Sequence, residues 1–146
     1  MNHELSEEIF KNGTRFCQDE ALLSVRSWRV VSVTYPVLEI EFAYEGRSTI
    51  RVKMLCNDWD ELPPSVELLD KEGVPLAQFP VGKGHSVFNN SSHPRTQRPF
   101  LCIPGVREYH EHTSHVSDTW ENYKNKSGYD LGGILTRTWD AWKNSE

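Results

Sequence analysis

The sequence predicts one α+β domain, in which an antiparallel meander sheet is preceded by a helix and followed by helices. Two observations predict it: a strongly alternating hairpin in the first half of the chain, and helical apolar spacing near both ends. A chain of 146 residues suits a single hydrophobic core. We therefore expect one domain over residues 1–146.

The hairpin is the clearest local pattern. Apolar and polar residues alternate over residues 37–44 and again over residues 49–54. A period of two means that each strand buries one face and exposes the other. Residues 27–35, rich in β-branched and aromatic side chains, predict a strand before the hairpin, and residues 65–70 predict a strand after it.

Capping residues and apolar spacing predict the helices. Ser6 is placed to cap an N-terminal helix that stops at Gly13, and Asp130 is placed to cap the last helix. A further helix carrying Trp120 is predicted before it. The last helix has one apolar face at helical spacing: Leu131, Ile134, Leu135, Thr138 and Trp142.

The charge and the cysteine content of the chain limit the classes of function that it could have. The chain has 21 acidic and 16 basic residues, and the basic ones are dispersed, which disfavours nucleic-acid and membrane partners. The acidic, amphipathic N-terminus does not resemble a secretory signal. Three widely spaced cysteines do not form a disulfide framework, so we expect a cytoplasmic protein, with Cys17 and Cys56 as small core or surface residues.

A cluster of metal-ligating residue types follows Cys102. In an extended segment, Glu108, His110 and His112 would share one face, whereas in a helix Glu108, His112 and His115 would do so. Both conformations bring a carboxylate and two imidazoles together. The turn between Cys102 and Glu108 could fold the thiol back toward them.

One thiolate, two imidazoles and one carboxylate suit a divalent metal, zinc above all, although iron and nickel stay open. His110, Glu111 or Asp118 could then orient the ligands by hydrogen bonding. Two simpler interpretations stand beside this one. Closely spaced His and Glu residues are also typical of a solvated loop, and Cys102 could be an ordinary buried thiol. Residues 75–98 show no sustained period and predict a long irregular segment, which in compact domains is often functional.

The order of several short motifs resembles the ubiquitin-conjugating enzyme family from about Val30 onward. The motifs are TIRVKM, ELPPSVELLD, SHPR, FLCIP and DLGGILTRTWDAW. The resemblance implies a catalytic cysteine at Cys102, preceded by His93 in place of the histidine of a His-Pro-Asn motif. Arg95 stands where that family has an asparagine thought to stabilise the oxyanion, so His93 or Asn90 would have to supply the donor.

The segment PGVREYHEHTSH is similar to a bacterial family named for a predicted Cys-Glu-His-His metal site and encoded beside ubiquitin-like modification genes. This resemblance implies Cys102, Glu108, His112 and His115 as ligands, with His110 as the substitute if the segment is extended. Four protein ligands would favour a structural metal. Three ligands and a water could support hydrolysis, with Glu108 or Glu111 as general base.

Three functions are therefore expected in competition. The first is a metal-binding, zinc-preferring protein of a bacterial ubiquitin-like conjugation or antiphage defence pathway. The second is a transferase that carries a ubiquitin-like protein as a thioester on Cys102, with an activating enzyme as its other partner. The third is a non-catalytic docking scaffold, whose exposed apolar surface would lie around Trp59 or on the last helix.

Overall fold

A four-stranded antiparallel meander forms the centre of the molecule, with its strands in sequence order. The computed structural model describes residues 1–146. The strands are β1 Trp28–Thr34, β2 Val37–Phe42, β3 Ile50–Leu55 and β4 Ser65–Leu69. Leu38, Ile40 and Phe42 are all fully buried, while the residues between them are half-buried. The predicted α+β layout and hairpin are confirmed.

Two helices precede the sheet. They are α1 His3–Gly13 and α2 Glu20–Arg26. The helix α1 begins earlier than predicted, because the side chain of Asn2 accepts the cap hydrogen bond from Leu5 N at 3.0 Å. Ser6 lies inside the helix and donates its hydroxyl to the Trp59 carbonyl at 2.8 Å, so its predicted capping role is wrong. The helix α2, which Asp19 caps, was not among the predicted elements.

The second half of the chain carries a short β-ribbon and two further helices. The ribbon pairs β5 Phe88–Asn89 with β6 Phe100–Leu101, and the helices are α3 Arg107–Glu111 and α4 Leu131–Lys143. Asp130 caps α4 by accepting from Gly133 N at 2.7 Å, as predicted. The whole predicted apolar face of α4 is buried. None of the helices combines the length and apolarity that a membrane crossing requires.

Two predictions between these elements are corrected. The predicted helix around Trp120 is a single 3₁₀ turn, Trp120–Asn122, whose Trp120 indole donates to the Asp60 carbonyl at 2.9 Å. Trp59 is 4% exposed and packs against Trp120, with ring centroids 5.9 Å apart. The surface around Trp59 is therefore not the exposed apolar patch expected for a docking scaffold.

Candidate functional site: Cys102 and its histidine

Cys102 directly follows β6 and extends the ribbon by one hydrogen bond, from its backbone N to the Val87 carbonyl at 2.7 Å. Its side chain is half-buried, and Sγ lies 3.7 Å from His115 Nε2. Burial raises the pKa of the thiol, and a hydrogen bond from the side chain of Asn89 partly offsets that increase. The resting thiol is therefore neutral near pH 7.

The other two cysteines have a different environment. Cys56 is fully buried in the core and contacts the Met54 carbonyl, and burial raises its pKa to about 12. Cys17 is half-buried, and burial raises its pKa to about 11. The structure thus agrees with packing roles for both residues.

His115 is supported by a stacked tyrosine. Its ring lies on Tyr109, with centroids 4.1 Å apart and an interplanar angle of 16°. The Tyr109 hydroxyl donates to the carboxylate of Asp118, which also accepts from the Tyr123 hydroxyl at 2.7 Å. These two hydrogen bonds lower the pKa of Asp118. The His115 imidazole therefore stacks on the ring of Tyr109, whose hydroxyl shares the Asp118 carboxylate with that of Tyr123.

Glu108 is directed away from this pair. Its carboxylate accepts from Val66 N at 2.9 Å and from the Ser65 hydroxyl, both in β4, and it forms an ion pair with Arg95 at 3.3 Å. The side chain is only 4% exposed. A buried carboxylate needs such donors, and these contacts explain its position without a metal.

Two of the histidines are held by backbone groups through both ring nitrogens. His110 Nδ1 donates to the Asp118 carbonyl at 2.7 Å, and its Nε2 accepts from Gly105 N at 3.0 Å. His93 is fully buried, with Nε2 2.8 Å from the Glu108 carbonyl and Nδ1 3.0 Å from Arg95 N. Neither ring has a free nitrogen for a ligand or a substrate.

His112 marks the point where the helix α3 ends. Its backbone is extended, with φ −71° and ψ 138°, and a 3₁₀ turn, Thr113–His115, follows. The segment is therefore neither extended nor helical throughout, so it follows neither of the two conformations considered from the sequence. The His112 ring stacks on Phe100, and its centroid lies 5.8 Å from that of His115.

The predicted ligand atoms do not converge on one point in this arrangement. Of the five residues, only Cys102 and His115 bring a sulfur and a ring nitrogen within 3.7 Å of each other. No three His, Cys, Asp or Glu side chains are grouped so that they could hold a metal. Glu111, considered as an orienting group or general base, instead pairs with Arg95. The Asp118 carboxylate orients two tyrosines, and its backbone carbonyl accepts from His110 Nδ1.

Cavities provide a further constraint on the chemistry. A cavity of about 330 Å³ lies between β4 and the 95–99 loop, beside Glu108. Cys102 and His115 line neither this cavity nor the two others of about 330 and 270 Å³. The half-buried sulfur thus lies outside these three cavities.

Residues 81–142 match the model of the Y4jH-like family. The match covers less than half of the chain, but it contains β5, β6, α3, most of α4 and every candidate site residue. The four-stranded sheet lies outside it. No curated protein matches the chain.

Sequence reasoning missed Asn89 and Tyr109. Asn89 lies in a strand of two residues, which is too short to produce an alternating pattern. Tyr109 follows Glu108 and lies among histidines. Their spacing suggested metal ligands, so the tyrosine between them was not considered. The only signal for Asn89 was its place in the long irregular segment.

Proposed function

We propose that this chain is a transferase of a bacterial ubiquitin-like conjugation pathway, which carries a ubiquitin-like protein as a thioester on Cys102. One observation carries the proposal: the half-buried Cys102 sulfur lies 3.7 Å from the unshared Nε2 of His115. The order of strands and helices around it supports the resemblance to ubiquitin-conjugating enzymes, in which a cysteine after the meander is the acyl carrier.

The chemistry follows from the protonation state of the thiol. The thiolate is the nucleophile, and the raised pKa of Cys102 keeps the resting sulfur protonated. As the sulfur bonds to the carbonyl carbon of an incoming thioester, its proton can pass to His115 Nε2, the nearest ring nitrogen. A neutral resting thiol also reacts slowly with unrelated electrophiles, which suits a carrier that must wait for its partner.

The surface position of Cys102 supports a macromolecular substrate. The cavities of about 330 Å³ and 270 Å³ do not include the sulfur, so a small substrate would have little surface to bind beside it. The flexible C-terminus of a folded protein can instead present its carbonyl to a half-buried thiol, while the affinity comes from contacts elsewhere.

The proposed role of His93 is structural. Its two ring nitrogens connect the Glu108 carbonyl to Arg95 N, so it fixes the 93–98 loop against α3. Arg95 is directed at Glu108 and Glu111, away from the sulfur. Within this proposal, neither residue replaces the missing asparagine of the family motif.

The test is adduct formation. The purified chain is incubated with ATP, an activating enzyme and a ubiquitin-like protein encoded beside it, and products are separated with and without reductant. We expect an adduct that reductant cleaves and that Cys102→Ser cannot form as a thioester. Cys17→Ser serves as the matched control and should load normally. Absence of any adduct that depends on Cys102 would overturn the proposal.

A metal centre is the second candidate, and one distance favours it. Ligands at about 2.3 Å (sulfur) and 2.0–2.1 Å (nitrogen) from a tetrahedral zinc are separated by about 3.6 Å, close to the Cys102–His115 spacing of 3.7 Å. Further ligands would have to come from outside this pair, with His112 the nearest imidazole. Elemental analysis of the purified chain and of Cys102→Ser separates the candidates, because only a metal centre predicts stoichiometric zinc that the variant loses.

A further inference from the structure

We propose that Asn89 supplies the amide donor that stabilises the oxyanion formed when Cys102 exchanges its acyl group, an inference that rests on the proposed function. The donor would thus come from β5, and not from His93 or Asn90, the two residues expected to supply it from the sequence.

The β-ribbon brings Asn89 and Cys102 to the same face. Asn89 pairs directly with Phe100 across the two strands. Side chains of directly paired residues lie on one face, and a residue two positions further along an extended chain returns to that face. Cys102 is that residue, and its backbone hydrogen bond to Val87 continues the ribbon to this point. The two side chains are therefore diagonal neighbours.

The amide of Asn89 has its nitrogen available on the face that it shares with Cys102. Its oxygen, Oδ1, accepts from Ser91 N at 2.8 Å, which fixes the side-chain rotamer and leaves the nitrogen as the group available for other contacts. The same side chain lies close enough to the thiol to offset part of the increase that burial causes in the pKa of Cys102. Because a carbonyl carbon bonded to that sulfur places its oxygen only two bonds away, a donor at the sulfur can also reach this oxygen.

The two donors predicted from the sequence are engaged elsewhere. Asn90 accepts from Phe79 N at 2.7 Å and donates to the Phe79 carbonyl at 3.0 Å, so both ends of its amide are used. His93 is fully buried and bonded through both nitrogens. Asn89 is thus the side-chain amide that faces the reacting atom.

The reaction that needs this donor is acyl exchange. The Cys102 thiol passes its proton to His115 Nε2 as its sulfur attacks the thioester carbonyl, a C–S bond forms, and the C=O electron pair moves onto oxygen. The tetrahedral oxyanion then collapses, the C–S bond to the leaving thiol breaks, and the departing thiolate takes that proton from His115. A fixed N–H stabilises the oxyanion because the negative charge develops on that oxygen only in this step.

The experiment compares two reactions of the same sulfur. Acylation of Cys102 by the benzyl thioester of a peptide ending in Gly-Gly passes through an oxyanion, whereas alkylation by iodoacetamide does not. Rates are followed by mass spectrometry for the unmodified chain, Asn89→Ala, Asn89→Asp and Asn90→Ala, with Cys102→Ser as background. Asn89→Asp keeps the acceptor for Ser91 N and lacks the N–H, so it provides a folded comparison if the alanine variant is unstable.

We expect both Asn89 variants to slow acylation at least about tenfold more than they slow alkylation, and Asn90→Ala to preserve the ratio of the two rates. Equal losses in both reactions would mean that Asn89 affects only the thiol, and this result overturns the inference. The inference is also overturned if the ratio of the acylation rate to the alkylation rate is the same in both Asn89 variants as in the unmodified chain, whether or not the rates themselves fall. If the unmodified chain is acylated no faster than Cys102→Ser, the proposed function fails, which is a different outcome from a failure of Asn89 alone.

Discussion

The central sheet and the Cys102 region use polar residues in opposite ways. In β2 and β3, polar residues occupy the half-buried positions between buried ones, and Glu41 pairs across strands with Arg29 and Arg51 at 2.9 and 3.1 Å. In the Cys102 region, polar side chains are buried and bonded to backbone groups of other segments. In the sheet, the alternation of apolar and polar residues along each strand therefore determines where polar side chains lie. Around Cys102, contacts between segments distant in sequence determine it.

This difference explains why closely spaced histidines need not share a function. His93 and His110 use their ring nitrogens to satisfy backbone groups in a segment with little regular secondary structure. Such groups must be paired when they are buried, and loops lack the partners that helices and sheets provide. His115 differs because Nε2 faces a sulfur and its ring is held only by stacking.

The largest expected effect comes from the core that joins the sheet to α4. Trp142 is 1% exposed and packs against Phe42, with centroids 5.7 Å apart. We expect Trp142→Ala to reduce the free energy of unfolding by about 3–5 kcal/mol, because it removes buried area and leaves a cavity. The change in the free energy of unfolding is measured by urea denaturation monitored by circular dichroism.

The same measurement on Cys102→Ser should show a loss of less than about 1 kcal/mol, because the side chain is half-buried and near the surface. Val25→Ala, at an 86% exposed position, is the control for the effect of replacing a surface side chain. A loss for Cys102→Ser as large as that for Trp142→Ala would show that the thiol is a core residue and remove the contrast between the two regions.

Glu108 gives the next largest effect and separates packing from metal binding. We expect Glu108→Ala to cost about 2–4 kcal/mol in urea denaturation, because it leaves the buried Val66 N without its acceptor and removes one of the two carboxylates paired with Arg95. Any bound metal should be retained. Glu111→Ala, at a more exposed carboxylate paired with the same arginine, should cost much less. Loss of metal without loss of stability would instead identify Glu108 as a ligand, as the family resemblance implies.

The fold could be predicted from the sequence because its signals are local. Alternation in β2 and β3 and helical spacing in α4 each identify a buried face without knowledge of what covers it. The N-terminal cap was misplaced because Ser6 bonds to the Trp59 carbonyl, a contact 53 positions away along the chain.

The site could be predicted only in part. Cys102 and His115 were among the proposed residues and are in contact. The position of Glu108 depends on donors from β4, and that of His110 depends on Gly105 N and the Asp118 carbonyl. Backbone partners do not appear in residue identities, so spacing alone could not distinguish a ligand from a buried structural histidine.

His93 has a smaller expected effect, and it tests whether the SHPR segment is catalytic. His93→Ala leaves the Glu108 carbonyl and Arg95 N unpaired, and we expect a loss of about 1–3 kcal/mol. Under conditions where the variant is folded, its rate of acylation by the Gly-Gly peptide thioester should match that of the unmodified chain. A large loss of rate in folded protein would show that His93 acts at the reacting carbonyl. His112→Ala, which alters a ring stacked at the surface, is the comparison for stability.

The smallest expected effect is a pH dependence of stability from His110. Burial lowers its pKa below the usual 6.5, so the unfolded chain binds the proton more readily than the folded one. Well above pH 6.5, His110 is deprotonated in both the folded and the unfolded chain. As the pH falls from 6.5 toward the lower pKa of the folded state, stability is lost, with a slope below about 1.4 kcal/mol per pH unit.

Urea denaturation at pH 7.5 and 5.5, with His110→Gln and His112→Gln, isolates this contribution. His110→Gln should be less stable at both values and should lose part of the difference between them, whereas His112→Gln should keep the difference. Asp118 faces the His110 ring, but hydrogen bonds from tyrosines lower its pKa below 3.8, so it titrates outside this window. An unchanged difference in His110→Gln would mean that its ring takes up a proton in the folded protein as easily as in water, and that its two backbone hydrogen bonds do not hold it neutral.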